Sequence, residues 1–259
     1  MSADGVRSEP AAEASELSAP SSGGSSAAAS SSASSAAASS SALPGWGRVL
    51  AVVAHPDDES FGLGAVISSF TAADVVVDVL CLTRGEASTL HGVEGDLPEI
   101  RELELRAAAD ALGARDVDLR ALPDGGLADL APAALDGEVE RAVTATRPDA
   151  ILTFDTTGIS GHPDHVAATD AAVRVAARHD LPVLAWTLPE EICRRLDDDG
   201  HSGFLGRPMS EVDLILTVDR TAQRAAVDRH PSQAVPGSVL WRRLELQGYT
   251  EHLRWLRRP

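Results

Sequence analysis

The chain has 259 residues, 44% of them hydrophobic, and a formal net charge of −17 with a pI near 4.7. This length is sufficient for one large α/β domain, and the acidic charge excludes the basic surface that nucleic acids and anionic membranes require of a partner. A small neutral or cationic molecule is the better-matched partner.

Residues 1–43 are dominated by Ser and Ala and contain the stretch SSGGSSAAASSSASSAAASSSA. Such a segment buries too little apolar surface to offset the entropy cost of ordering, so we predict a disordered tail. It lacks the basic start and Leu-rich core of a secretion signal, and the later apolar runs are shorter than the ~20 residues of a membrane span. We therefore expect a soluble, cytoplasmic protein with no membrane span, whose single folded domain covers residues 44–259.

After the tail, β-branched runs alternate with Ala- and Leu-rich segments of helical spacing, a pattern typical of βα repeats and a parallel sheet. The predicted strands cover residues 48–54, 75–82, 117–122, 150–154, 183–186 and 213–218. The predicted helices cover residues 60–73, 98–113, 132–147, 164–179 and 220–229. The pattern predicts an α/β fold in one domain, with a mostly parallel sheet and helices on both of its faces.

Two polar clusters follow predicted strands, AHPDDE (54–59) after the first and GHPDH (161–165) after the fourth. In a doubly wound sheet of order 3-2-1-4-5 these strands are neighbours, and ligands bind beyond their carboxyl ends. His55 and Asp58 have i, i+3 spacing, and so do His162 and His165. Imidazole and carboxylate together suit zinc, which would also relieve the repulsion among the three consecutive acids.

Each cluster also has a purely structural interpretation. The three acids could cap the following helix and complement its dipole, and GHPDH could be an ordinary helix start with Pro163 in its first turn. We favour a functional site, because both clusters would otherwise have to be purely structural at two adjacent strand ends.

Together the two clusters resemble the LmbE-like, or PIG-L, family of zinc-dependent N-acetylglucosaminyl deacetylases, which has a Rossmann-like α/β fold. The similarity continues through TRGEAS (83–88), IREL (100–103), LPDGG (122–126), RHPSQ (229–233) and YTEHLRWL (249–256). The resemblance implies hydrolysis of the N-acetyl group of an N-acetylglucosaminyl small molecule or glycoconjugate. The alternatives are an amidase acting on a larger N-acyl or thiol conjugate, and a sugar-binding α/β module without turnover.

The family's site residues transfer to matching positions of this chain. The resemblance implies that His55, Asp58 and His165 bind the metal, which is zinc with iron(II) as the alternative. It also implies that Asp57 is the general base, that His162 stabilises the oxyanion or protonates the leaving amine, and that Arg101 and Asp124 contact the substrate. Some members carry a tyrosine just before the second motif, where this chain has Ser160. The oligomeric state is left open.

Overall fold

The fold is built on a seven-stranded sheet, seen in a computed structural model that describes residues 41–89 and 93–259. In chain order its strands are β1 (Arg48–Val53), β2 (Val76–Thr83), β3 (Asp116–Leu122), β4 (Ala150–Phe154), β5 (Val183–Thr187), β6 (Leu214–Thr217) and β7 (Thr250–Arg257). Across the sheet the order is β3-β2-β1-β4-β5-β7-β6. The first five strands are parallel, and β7 is antiparallel to both of its neighbours. The predicted α/β class, mostly parallel sheet and order 3-2-1-4-5 are confirmed.

Helices fill the connections between the strands. Within the described residues they are α1 (Asp58–Phe61), α2 (Gly64–Thr71), α3 (Leu97–Ala111), α4 (Pro132–Thr146), α5 (Gly158–Gly161), α6 (Pro163–His179), α7 (Glu190–Asp198), α8 (Thr221–Val227) and α9 (Val239–Gln247). The predicted helix 60–73 is interrupted at Gly62, where a Cβ atom would lie 2.4 Å from a ring carbon of Phe154. Glycine at this position therefore allows close packing against Phe154 of β4, and the segment forms two helices, α1 and α2.

Alternate side chains of β1 face opposite layers of the core, as the two-residue period of a strand requires. Val49, Ala51 and Val53 pack with α2 and α3 in one apolar cluster. Leu50 and Val52 pack in a second cluster, together with α4 and α6. Both faces of β1 are covered, in keeping with its apolar residues 49–53, and its carboxyl end leads directly into the first motif.

The predicted tail lies outside the described residues except for positions 41–43. Ser41 donates its N–H to the carbonyl of Ile215 in β6 at 2.7 Å and accepts from the Ile215 N–H at 3.1 Å. None of the helices in the described part of the chain is long and apolar enough to cross a membrane.

Candidate active site

The AHPDDE turn leaves β1 and enters α1 with a strained backbone at Asp57. The φ of Asp57 is 139° and its ψ is −26°, a conformation that residues with side chains rarely adopt. Its N–H donates to Glu59 Oε2 at 3.0 Å, and two N–H groups of α1 donate to its carbonyl. Arg101 Nη2 donates to the carbonyl of Pro56 at 2.5 Å. Hydrogen bonds on both sides of Asp57 therefore hold the strained turn in place.

The three consecutive carboxylates of this turn each face a different cationic or imidazole partner. Arg101 Nη2 lies 3.0 Å from Asp57 Oδ2, His165 Nε2 lies 3.2 Å from Asp58 Oδ1, and His230 Nε2 lies 2.7 Å from Glu59 Oε1. Separate partners thus compensate the repulsion among the acids. Asp57 occupies the N-cap position of α1 without making a side-chain capping bond, so helix capping does not account for it.

The two adjacent aspartates have opposite proton affinities. Burial raises the pKa of Asp57 to about 6, a shift that Arg101 opposes and Asp58 reinforces. Burial also acts to raise the pKa of Asp58, but His165 and His55 outweigh it and hold this pKa well below its usual range. Asp58 is therefore the carboxylate that stays ionised, and Asp57 is the one that exchanges protons more readily.

The second motif forms a regular helix start at the carboxyl end of β4. His162 is the N-cap of α6 and its Nδ1 accepts the N–H of Asp164 at 3.2 Å, with Pro163 in the first turn, as the structural interpretation of this motif has it. Burial lowers the pKa of His162, and the neighbouring His165 and His55 lower it further. The His162 ring is therefore neutral near pH 7 and, with Nδ1 as acceptor, carries its hydrogen on Nε2.

The loop that leads to this helix start is held by a buried carboxylate. Asp155 directly follows β4, and it accepts hydrogen bonds from Arg207 Nη2 at 2.8 Å and Arg254 Nη1 at 3.1 Å. Ile159, within the short helix α5, has a φ of 65°, which is also strained. The segment that precedes the second motif is therefore anchored by residues from far along the chain.

The two motifs meet at three side chains, His55, Asp58 and His165. His55 Nδ1 lies 3.2 Å from His165 Nε2 and 3.6 Å from Asp58 Oδ2, and His165 Nε2 lies 3.2 Å from Asp58 Oδ1. His55 and Asp58 are 9% and 6% exposed. His162 joins the same group, with a ligand-type nitrogen within 4.8 Å of those of His55 and His165. The convergence predicted for the two strand ends is thus present.

The remaining ring nitrogens of His55 and His165 face oxygen atoms. His55 Nε2 lies 3.1 Å from Asp124 Oδ1 and 3.3 Å from Asp164 Oδ2, and His165 Nδ1 lies 3.0 Å from the Gly158 carbonyl. When these nitrogens donate, the lone pairs of His55 Nδ1 and His165 Nε2 both point towards Asp58. Burial lowers the pKa of His55, but hydrogen bonds to Asp124 and Asp164 outweigh it and raise the pKa to about 10. The surroundings therefore favour a positive charge here.

Arg101 and Asp124 lie beside these atoms, and most of their polar atoms already make hydrogen bonds. Arg101 is 2% exposed and also donates from Nη1 to the Gly85 carbonyl at 2.7 Å. Asp124 Oδ2 accepts the N–H of Ala87 at 2.8 Å, in addition to the contact of Oδ1 with His55. Both residues contact other groups of the site directly.

Sequence reasoning missed three buried residues around the motifs. Asp164 is fully buried and accepts the N–H groups of Gly125 and Leu127, which ties the turn after β3 to α6. Glu59 and His230 form the buried pair described above. The available signals were the third acid of the first motif, the acid inside GHPDH and the histidine of RHPSQ.

A cavity of about 490 Å³ opens above the meeting point. The proposed site residues that line it are His55, Asp57, Asp58, Arg101, Asp124, His162 and His165. All seven residues singled out from the sequence therefore face one space, which is large enough for a sugar.

The similarity to known proteins covers the fold and both motifs. The PIG-L family model, described as GlcNAc-PI de-N-acetylase, matches residues 50–176. The 1D-myo-inositol 2-acetamido-2-deoxy-alpha-D-glucopyranoside deacetylase of Mycolicibacterium gilvum is 32% identical, over 69% of this chain and 73% of that protein. The chain belongs to the PIG-L family. A probable N-acetyl-alpha-D-glucosaminyl L-malate deacetylase 2 of Bacillus anthracis is 28% identical, over 82% of this chain and 92% of that protein.

Solved structures agree with the fold of this PIG-L protein. The A40926 pseudoaglycone deacetylase Dbv21 superposes with a TM-score of 0.63 at 24% identity, over 82% of this chain and 98% of that one. The predicted family is confirmed, and with it the predicted class of activity, a hydrolase that removes an N-acetyl group from N-acetylglucosamine-containing small molecules.

Proposed function

We propose that the protein hydrolyses the acetamide of an N-acetylglucosaminyl small molecule with the help of a metal ion held where the two motif turns meet. The observation that carries the proposal is the convergence of His55 Nδ1, Asp58 and His165 Nε2, separated by 3.2–3.6 Å. Ligand atoms arranged tetrahedrally around one zinc ion are about 3.3 Å apart, so the spacing fits. Two lone pairs and a carboxylate at such distances are stabilised by a cation between them.

The donor set supports zinc in particular. Two imidazole nitrogens and one carboxylate are common ligands of catalytic zinc and leave a coordination position open, while iron(II) accepts the same donors and is the alternative. The outward hydrogen bonds of His55 to Asp124 and Asp164, and of His165 to Gly158, are the kind that orient metal-binding histidines. When bound, the metal would polarise the acetamide carbonyl and promote ionisation of water near neutral pH.

Asp57 is the proposed general base. Its carboxylate lines the cavity beside the three proposed ligands and is oriented by Arg101, while Glu59 holds its backbone N–H. The carboxylate takes a proton from the attacking water, and that proton is then available to the departing amine. The products are acetate and a free amino sugar.

His162 is the proposed donor to the oxyanion. Since its Nδ1 accepts the N–H of Asp164, its Nε2–H is free to donate to the carbonyl oxygen as negative charge develops there. The lowered pKa of His162 favours this neutral donor over an imidazolium acid. The tyrosine that some family members carry before this motif is replaced by Ser160, which increases the dependence on His162.

The larger cavity is the proposed place of the sugar. Arg101 and Asp124 remain candidates for contacts with it, and their hydrogen bonds give each a second proposed role, Arg101 in orienting Asp57 and Asp124 in orienting His55. The names of the two relatives above share an N-acetylated glucosaminyl unit and differ in the malate or inositol attached to it. We therefore propose the shared unit as the substrate class of this chain.

The test is release of primary amine from N-acetylglucosaminyl-inositol, N-acetylglucosaminyl-malate and simple N-acetylglucosaminides. Protein stripped of metal should be inactive and should recover on addition of zinc. His165→Ala should abolish the recovery, whereas His179→Ala, a change of a more exposed histidine at the other end of α6, should not. Release that is independent of zinc, or no release while zinc is demonstrably bound, would overturn the proposal.

A further inference from the structure

A second, smaller cavity of about 170 Å³ adjoins the proposed metal site from the other side. Its apolar lining includes Phe154, Ile159, Trp186, Phe204 and Leu240. Asp58, Phe61 and His165 line both cavities, so these three side chains separate them. The smaller cavity therefore borders two proposed metal ligands without being part of the sugar-sized space.

Besides Asp58 and His165, which it shares with the proposed metal site, this mostly apolar cavity is lined by an arginine. Arg243 of α9 is 6% exposed, and its guanidinium carbon lies 4.9 Å from the ring centroid of Trp186. Its Nη2 donates to the Phe61 carbonyl, while its Nε has no hydrogen-bond partner. Within the described part of the chain, no carboxylate oxygen lies within 4.0 Å of its nitrogen atoms.

The other buried arginines of this region show what is unusual about Arg243. Arg101 and Arg220, which are 2% and 3% exposed, lie 3.0 Å from Asp57 and 2.6 Å from Glu251 respectively. Glu251 lies near enough to act on Arg243 electrostatically but makes no ion pair with it, and its two oxygens accept from Arg220, Gln247 and the Trp186 indole at 2.6–2.8 Å. A buried charge without a counter-ion is costly, so a buried guanidinium normally has an anionic partner.

We propose that the smaller cavity binds a carboxylate that carries a short apolar group. The carboxylate pairs with Arg243, and the apolar group packs against Phe154, Trp186 and Leu240. Two sources supply this chemistry: the acid released by deacylation, and a carboxylate at the free end of a longer acyl group. A volume of about 170 Å³ is enough for such a group. The proposal that this cavity binds a carboxylate does not depend on the proposed function. A part for the cavity in the reaction does rest on it.

Binding is tested by calorimetric titration of the full-length chain with butyrate, acetate and, as the neutral analogue, 1-butanol. The titrations use zinc-loaded and metal-stripped protein. We expect saturable binding that is tighter for butyrate than for acetate and absent for butanol, and that persists in the stripped protein. Arg243→Met should weaken butyrate binding by about tenfold or more, because the charged partner is lost. Arg242→Met, a surface change on the same helix, should leave it unchanged.

Several outcomes would overturn this site. Butyrate binding that is equal in the wild type and in Arg243→Met would place the carboxylate elsewhere, for example on the histidine cluster. Absence of saturable butyrate binding in the wild-type protein would also overturn the site. This outcome needs no variant, so the proposal can be tested even if Arg243→Met does not fold. Arg243→Lys, which keeps the charge, should retain part of the affinity.

Kinetics of the zinc-loaded enzyme distinguish the two sources. If the released acid binds, butyrate should inhibit turnover of the N-acetyl substrate, and Arg243→Met should relieve that inhibition. If the acyl group carries the carboxylate, Arg243→Met should raise the KM for an N-succinyl glucosaminide and not for the N-acetyl one. If neither effect is observed, the proposal that this cavity takes part in the reaction is overturned. Butyrate binding without any amine release would instead overturn the proposed function and leave this site standing.

Discussion

The two motif turns end neighbouring strands, yet they are held in different ways. The AHPDDE turn has a strained residue at Asp57, and its acids are held by Arg101 of α3 and by His230, which follows α8. The GHPDH turn is an unstrained helix start whose cap is made locally by His162. The difference suggests a division of labour: the first turn depends on distant charges to aim a carboxylate, and the second presents its rings through regular helix geometry.

The largest expected effect comes from Asp57→Asn. The substitution keeps the shape of the strained turn and removes the proposed base, so we expect turnover to fall by a factor of ~10² or more with zinc affinity largely kept. Steady-state amine release and zinc titration measure the two quantities. Asp74→Asn is the matched control, because Asp74 is exposed and also has a positive φ, of 60°. Full activity in Asp57→Asn would remove Asp57 from the proton transfer.

In the second turn, His162→Asn separates the effect of losing the imidazole donor from the effect of losing the N-cap of α6. Asparagine is a favourable N-cap residue, so α6 should start normally and the melting temperature should change little. Loss of the ring donor should lower kcat by about 10²-fold, the typical cost of removing one oxyanion donor. An active His162→Asn variant combined with an inactive, destabilised His162→Ala would show that only the cap matters.

A smaller effect is expected where the two turns are joined, at Asp164. Its side chain contacts His55 Nε2 and accepts two N–H groups of the turn after β3. Asp164→Asn should weaken zinc binding by about 10–100-fold, because outer partners of metal-binding histidines are worth that much. Competition with a zinc chelator measures the affinity. The matched control is Asp170→Asn, an exposed position on the same helix. Unchanged zinc affinity in Asp164→Asn would mean that Asp124 alone orients His55.

The sheet and the motif positions could be predicted because their signals are local. Apolar β-branched runs, such as residues 48–54, mark strands that are buried on both faces, and i, i+3 spacing brings His162 and His165 to one side of a helix start. The strand β7 was not predicted, because its sequence TEHLRWLR lacks an apolar pattern. Its buried polar residues are satisfied by tertiary contacts, as when Glu251 accepts from Arg220 and Trp186.

Contacts between residues far apart in sequence account for most of what was missed in the site. The Glu59–His230 pair joins residues 171 positions apart, and Arg101 reaches Asp57 across 44. Asp124 was predicted as a site residue, but the sequence does not indicate that its side chain lies against His55. Spacing predicts which groups meet at a strand end, whereas the partners that orient them depend on how the helices pack.

The smallest expected effect tests how far the second turn depends on distant charges, through Asp155. Burial would raise the pKa of Asp155, but hydrogen bonds from Arg207, the Thr157 N–H and Arg254 outweigh it and lower the pKa. The pairing therefore stabilises the fold fully above the unfolded pKa of about 3.9, and this contribution is lost as the pH falls through the lower folded-state value. Asp155→Asn should cost about 1–3 kcal/mol at pH 7. Chemical unfolding from neutral to acidic pH should show the difference from wild type narrowing as Asp155 becomes protonated, whereas a constant difference would mean that shape, and not charge, holds this loop.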